Sequence, residues 1–252
     1  MFVLAHLSDI HLDGGPRALD RTRRVMAYLR GLPIDAILVT GDIADHGAPE
    51  EYRQAREVLA ADVPVLVLPG NHDAKQPFRT VLLGADGTGP VDQVRRVGAV
   101  TFALCDSTIP RRNEGLLAPQ TLTWLRRVIE DADGPVFVCL HHPPVPVHHP
   151  VVDGIGLTND ADLAELIRDD RRVAAVLCGH AHTAATATFA GRPVRVAPGV
   201  VSTLRLPWTM TQPVTMSNLV DLEDPPSVAF HVLGDDGSLT THYRVAPATV
   251  AA

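Results

Sequence analysis

Short apolar runs rich in β-branched residues alternate with amphipathic helical stretches along most of this chain, and the runs are apolar on both faces. Strands of that kind are covered on both sides, which implies a buried sheet with parallel pairs and helices packed outside it. Phe2–Leu7, Asp35–Thr40, Val63–Leu68, Pro135–Leu140 and Val173–Cys178 read as strands. Pro16–Arg30, Pro49–Ala61, Lys75–Leu83, Pro119–Asp131 and Thr158–Arg168 read as helices. Pro16 and Pro49 sit in a first turn, where a missing N–H costs nothing, and Glu50 and Glu51 suit the positive end of the helix dipole. Thr158 is expected to cap the last helix through its hydroxyl. Val94–Val97 and Val100–Cys105, joined near Gly98, predict an antiparallel pair. Ser227–Val232 and Ser238–Val245 predict a hairpin around Gly-Asp-Asp-Gly, while Gly84–Pro90 and His142–Gly156 read as loops. Periodicity alone gives an α/β fold and nothing finer.

A length of 252 residues suits one domain over 1–247, with its core in 1–200, further strands in 200–247 and a frayed tail at 248–252. Apolar residues make up 46% of the chain, yet no run approaches the roughly 18 uncharged apolar residues of a membrane span. Phe2–Leu7 lacks a basic preceding region and a small-residue cleavage site, so a cytoplasmic location is expected. The formal charge of −7 argues against a groove for long nucleic acid, which needs a clustered basic face. Cys105, Cys139 and Cys178 each lie in or beside an apolar run and read as free buried hydrophobes. The abnormal count is histidine, at twelve.

Those histidines, with Asp and Asn, gather where the apolar runs end. Asp9-Ile10-His11, Gly41-Asp42, Gly70-Asn71-His72-Asp73, His141-His142 and Gly179-His180-Ala181-His182 each close a predicted strand. The carboxyl ends of parallel strands face one crevice, so the clusters converge. Asp-x-His and His-x-His at a strand end put two donors on one side of the pleat, and Gly ahead of Asp42, Asn71 and His180 lets the backbone turn sharply. Hard oxygen with borderline nitrogen and no thiolate fits two ions of the Mn, Fe, Co or Zn type. Asp9, His11, Asp42, Asn71, His141, His180 and His182 are too many ligands for one small ion and suit two that share a carboxylate. His148-His149 lies in a Pro-rich loop and is left out of the set. Any one of these pieces alone would be unremarkable; their order along the chain is what points to a site.

In that order the five clusters resemble the blocks of the calcineurin-like metallophosphoesterases, over about residues 1–200. Finer text, from Gly41-Asp-Ile-Ala-Asp-His-Gly to Tyr52 and at Asp106-Ser107, Gly115, Leu117, Gln120 and Trp124-Leu125, is similar to class III cyclic-nucleotide phosphodiesterases and related glycerophosphodiesterases. The resemblance implies a four-layer α/β/β/α sandwich of two mixed sheets flanked by helices. It places Asp9, His11, Asp42 and His182 around one metal, with Asp42 bridging to a second held by Asn71, His141 and His180. It gives His72 a catalytic role toward the substrate rather than a ligand role, with Asp42 as the shared catalytic carboxylate. His142 falls beside the ligands, and Asp73 either orients His72 or caps the turn.

The activity implied is hydrolysis of a small phosphodiester, a 3',5'-cyclic nucleotide first. A glycerophosphodiester and a phosphomonoester are the alternatives, and a nuclease is disfavoured by the acidic charge. A binding scaffold that has lost its metals is disfavoured by the intact ligand set. The expected cofactors are two transition-metal ions, and the expected partner is a small phosphodiester, with a homodimer as an allowed assembly. Arg111-Arg112-Asn113 read as solvated loop residues, with contact to a phosphate or base as the other reading.

Overall fold

The computed structural model describes residues 1–168 and 170–248. Most of the predicted tail therefore lies outside the described residues. Strand β1 (Phe2–Leu7) leads into helix α1 (Pro16–Leu29), β2 (Ala36–Thr40), α2 (Pro49–Val58) and β3 (Val65–Leu68). A helical segment follows, one short turn α3 (Lys75–Pro77) running directly into a wider π-turn over Phe78–Leu83. Then come β4 (Gln93–Val97), β5 (Val100–Leu104), α4 (Pro119–Glu130), β6 (Val136–Cys139), α5 (Asp160–Ile167) and β7 (Val173–Cys178). The chain continues through β8 (Ala185–Phe189), β9 (Arg192–Val196), the two-residue strands β10 (Thr203–Leu204) and β11 (Val220–Asp221), and the hairpin β12 (Ser227–Leu233) and β13 (Leu239–Val245).

Two large mixed sheets result, ordered β13-β12-β1-β2-β3 and β4-β5-β6-β7-β9-β8. In the first, β1, β2 and β3 run parallel and β12 is antiparallel to both β1 and β13. In the second, β5, β6, β7 and β9 run parallel, with β4 and β8 as antiparallel edges. Period-two alternation explains the layering. Leu4, Ala36, Leu38 and Leu68 meet Phe102, Leu104, Phe137 and Leu177 in one apolar cluster between the sheets. Ala5, Leu7, Ile37 and Val39, on the opposite face, pack under Val25, Leu29 and Tyr52 of α1 and α2. Val136, Val138, Val173 and Val176 do the same under Leu125, Ile129, Leu163 and Ile167 of α4 and α5. Three cores between four layers give the expected α/β/β/α sandwich.

Two local features differ from the sequence reading. The last predicted helix begins at Asp160 with no side-chain cap, because the Thr158 hydroxyl donates instead to the Gly115 carbonyl at 2.7 Å. A capping pattern sees only near neighbours, and this partner is 43 residues away. The region after β7 holds an antiparallel pair, β8 and β9, turned by Ala190 and Gly191, both at positive φ. The three cysteines are free and buried as expected, and burial pushes the Cys139 and Cys178 thiols up, away from reactivity. Among the described residues no helix is long and apolar enough to cross a membrane.

Candidate metal centre

All five strand-end clusters meet at the carboxyl ends of the parallel strands, but the backbone brings them together differently from the pleat argument. β1 ends at Leu7, and the loop beyond it lies along the loop after β2: Asp9 N donates to Gly41 O at 3.1 Å, and His11 N to Asp42 O at 2.9 Å. Asp9, His11, Asp42, His180 and His182 all adopt positive φ, from 42 to 67°. A left-handed residue with a Cβ costs about 1–3 kcal/mol, and such outliers persist where the surroundings hold them. The side chains thus converge through tight left-handed turns, not through same-side alternation along a strand.

The glycines have a second purpose as well. Gly41, at φ 93°, does turn the chain. Gly70 and Gly179 instead permit close approach. A Cβ on Gly70 would stand 2.3 Å from Asp42 N, and one on Gly179 would stand 2.8 Å from Thr40 O. Real Cβ atoms do not come that near, so any larger residue there forces the loops apart.

Two groups of donor atoms form. In the first, His11 Nε2 is 3.3 Å from His182 Nε2, and His182 Nε2 is 3.6 Å from Asp9 Oδ1. In the second, His141 Nε2 is 3.1 Å from both Asn71 Oδ1 and His180 Nδ1. Asp42 joins them: its Oδ2 is 3.4 Å from His11 Nε2 and 3.4 Å from His141 Nε2. All seven predicted ligands are therefore brought together. His148 and His149 are not among them; the His149 ring instead accepts the Val151 and Val152 amides.

The other ring nitrogens are occupied as well. His141 Nδ1 donates to Thr40 O at 2.7 Å and His11 Nδ1 to Asp45 Oδ1 at 2.8 Å, while His182 Nδ1 is 2.8 Å from Ser202 Oγ. The carbonyl and the carboxylate are acceptors only, so they fix the tautomers of His141 and His11 and leave Nε2 of each as the inward-facing atom, as a metal-ligating histidine requires. Asp9 Oδ1 is buried with no hydrogen-bond partner among the described residues, which costs free energy unless a cation completes it. Burial pulls the His141 imidazole down, yet Asp42 and Asp9 outweigh it and lift the ring to about 9. Burial likewise raises the Asp42 carboxyl, and His141, His11 and His72 together bring it well below the usual carboxylate range. Positive charge is favoured here, and the N/O donor set fits divalent ions.

Around the donors, the structure separates roles that the sequence left open. His72 is exposed; its Nδ1 donates to Asp45 O at 2.9 Å, so Nε2 points away from that anchor, with no hydrogen-bond partner among the described residues. Asp73 does not orient His72. Its carboxylate accepts from Gly70, Ile43 and Ala44 amides and so ties two strand-end loops together. His142 has both nitrogens committed, Nδ1 to Ser107 Oγ at 2.8 Å and Nε2 to Asn113 O at 3.1 Å, so it stands beside the candidate donors and not among them. Lys75, the one lysine in the sequence, is spent on Asp106 at 2.7 Å. Sequence reasoning missed Asp45 and Ser202; Asp45 falls three residues after Asp42 inside the quoted Gly-Asp-Ile-Ala-Asp string, a signal that was available.

Comparison with known proteins gives the family and the fold. The family model described as calcineurin-like phosphoesterase matches residues 2–184. A probable cyclic nucleotide phosphodiesterase of Rhodococcus erythropolis is 37% identical over 77% of this chain and 69% of its own length. A glycerophosphodiester phosphodiesterase of Enterobacter lignolyticus is 33% identical over 79% of this chain and 77% of its own. A dimetal phosphatase from Danio rerio shares the fold, with a TM-score of 0.71 at 15% identity, covering 98% of this chain and 96% of that one. The chain belongs to the calcineurin-like phosphoesterases, a family of metal-dependent phosphoesterases.

Proposed function

We propose that this protein hydrolyses small phosphodiesters, 3',5'-cyclic nucleotides first, at a centre of two transition-metal ions. Asp9, His11, Asp42 and His182 would hold one ion, and Asn71, His141 and His180 the other, with Asp42 shared. The observation that carries the reading is the position of Asp42 Oδ2, equidistant at 3.4 Å from a donor nitrogen of each group. When bound, the two ions supply an acidified water as nucleophile and neutralise charge on the phosphoryl oxygens.

The protein's own residues supply the rest. Asp45 accepts from His72 Nδ1 through its carbonyl and from His11 Nδ1 through its carboxylate, so one residue sets the direction of both rings. His72 then presents Nε2 outward, where a protonated ring stabilises the phosphoryl group or donates to the departing alkoxide. Thr40 and Ser202 hold His141 and His182 without offering an atom to the substrate.

A diester suits this site better than a monoester. A monoester is a dianion near neutral pH and usually needs a fixed cation beyond the metals, most often a positioned Arg or Lys. Lys75 is paired with Asp106 and Arg112 with Glu114, and the neighbouring Arg111 is exposed with no side-chain contact among the described residues to fix it, so none of the three is a fixed cation for that purpose. The similarity to both cyclic-nucleotide and glycerophosphodiester enzymes makes the glycerophosphodiester the second reading. The test is kcat/KM for cyclic AMP, cyclic GMP, a glycerophosphodiester, bis(p-nitrophenyl) phosphate and p-nitrophenyl phosphate at matched Mn(II) loading. Diesters should lead by tenfold or more; a tenfold lead for the monoester would overturn the diester assignment.

A further inference from the structure

The loop between Thr108 and Gly115 is fastened at its base and carries an unusual residue at its tip. Gly115 pairs with Thr108 and with Leu157, its N–H donates to Gly156 O at 3.0 Å, and a Cβ there would meet the His142 ring at 2.4 Å. His142 also takes the Asn113 carbonyl, and its ring centroid lies 4.6 Å from that of His180 and 4.9 Å from that of His141. One imidazole therefore stands between the loop tip and the second donor group. Consecutive Cα atoms are about 3.8 Å apart, so Arg111 Cα lies within about 7.6 Å of Asn113 Cα. The tip is thus tethered, through Asn113 and His142, to the side of the second donor group.

Arg111 itself is the anomaly. Arg112 N donates to Ile109 O at 3.0 Å, closing a turn with Pro110 at its second position and Arg111 at its third, at φ 62°. That is the pattern of a type II turn, whose third position favours Gly or Asn because a Cβ is strained there. Arg111 is exposed and makes no ion pair or side-chain hydrogen bond among the described residues, whereas its neighbour Arg112 is paired with Glu114. Among the described residues no side-chain hydrogen bond or ion pair repays the strained arginine, and strain of this kind concentrates at ligand contacts.

We propose that Arg111 reads the nucleobase of a cyclic nucleotide, a specificity contact that rests on the diesterase reading above. A guanidinium is planar, stacks on an aromatic base and offers several N–H donors to its edge. His142 acts as a positioning residue that holds the tip in place.

Replacing Arg111 by Gly separates this role from a structural one, because glycine relieves the backbone strain while removing the contact. In R111G the melting temperature should hold or rise. KM for the preferred cyclic nucleotide should increase about tenfold with kcat little altered, and the kcat/KM ratio of that nucleotide over bis(p-nitrophenyl) phosphate should fall about tenfold. R111K, which keeps the charge but loses the planar fork, should recover only part of that ratio. An unchanged ratio in R111G overturns the inference and leaves the diesterase reading standing. Wild-type protein inert on every cyclic nucleotide yet active on bis(p-nitrophenyl) phosphate overturns it by removing the base, and that outcome fails the cyclic-nucleotide reading too.

Discussion

Replacing Asp73 by Ala should unseat the loops that carry Asp42 and Asn71 while leaving the anchor of His72 in place. The buried carboxylate accepts from Gly70 N at 2.8 Å and Ile43 N at 3.1 Å through one oxygen, and from Ala44 N at 3.0 Å through the other. Truncation leaves three buried N–H groups without an acceptor, at about 1–3 kcal/mol each. Burial and the neighbouring Asp42 charge push the Asp73 carboxyl up to about 6, so an ionised Asp73 carries a penalty that Ala removes. That offset favours the lower end of the range, about 3 kcal/mol in total. For a chain of this size each kcal/mol moves the melting temperature by about 2–4 °C, so a fall of at least about 6 °C is expected. Thermal and urea denaturation of the metal-free protein measure it, with zinc or manganese affinity followed in parallel. A variant that melts within 1 °C of the parent, binds metal normally and loses turnover would show that Asp73 works through His72 after all, and the clamp would be refuted.

Asn71→Ala and His72→Ala should differ in kind. The first removes an oxygen 3.1 Å from His141 Nε2, so its activity should recover partly at high metal concentration. The second removes no proposed ligand, so turnover should fall by roughly 10²–10⁴ with metal content intact; loss of metal in the His72 variant would contradict the assignment. Stability should also fall with acid through His6 and His231, whose rings meet at 3.0 Å between Thr40 and Thr241. Burial holds both below the ordinary 6.5, His231 down to about 3, so the unfolded chain binds more protons as pH drops below about 6.5. Each ring then removes up to about 1.4 kcal/mol per pH unit. His231→Gln should flatten that slope between pH 6.5 and 5 in urea titrations; an unchanged slope would count against the pair.

The proposed ligand residues were legible because each sits where an apolar run stops, and a strand end is a position that hydrophobic pattern marks well. The layers followed from the family resemblance, since alternation in Leu4, Ala5 and their neighbours cannot say which helix covers which face. What stayed hidden depends on contacts distant in sequence or on backbone angle. Thr158 resembles a helix cap until Gly115 is seen beside it, and Asp73 resembles a partner for His72 until three amides are seen around it. Asp9 and His11 were placed on one face of a pleat, a sound rule for a strand, but their φ values of 54 and 42° put them in left-handed turns beyond its end. Ser202 holds His182 across 20 residues with no motif to announce it.

The central claim is that Asp42 joins two metal sites, and the metal count per chain tests it most directly. Protein purified without chelator, reconstituted with Mn(II) and freed of excess should return about two equivalents of transition metal per chain by elemental analysis, falling to one or fewer in Asp42→Ala. One equivalent or less in the reconstituted parent protein would contradict a binuclear centre.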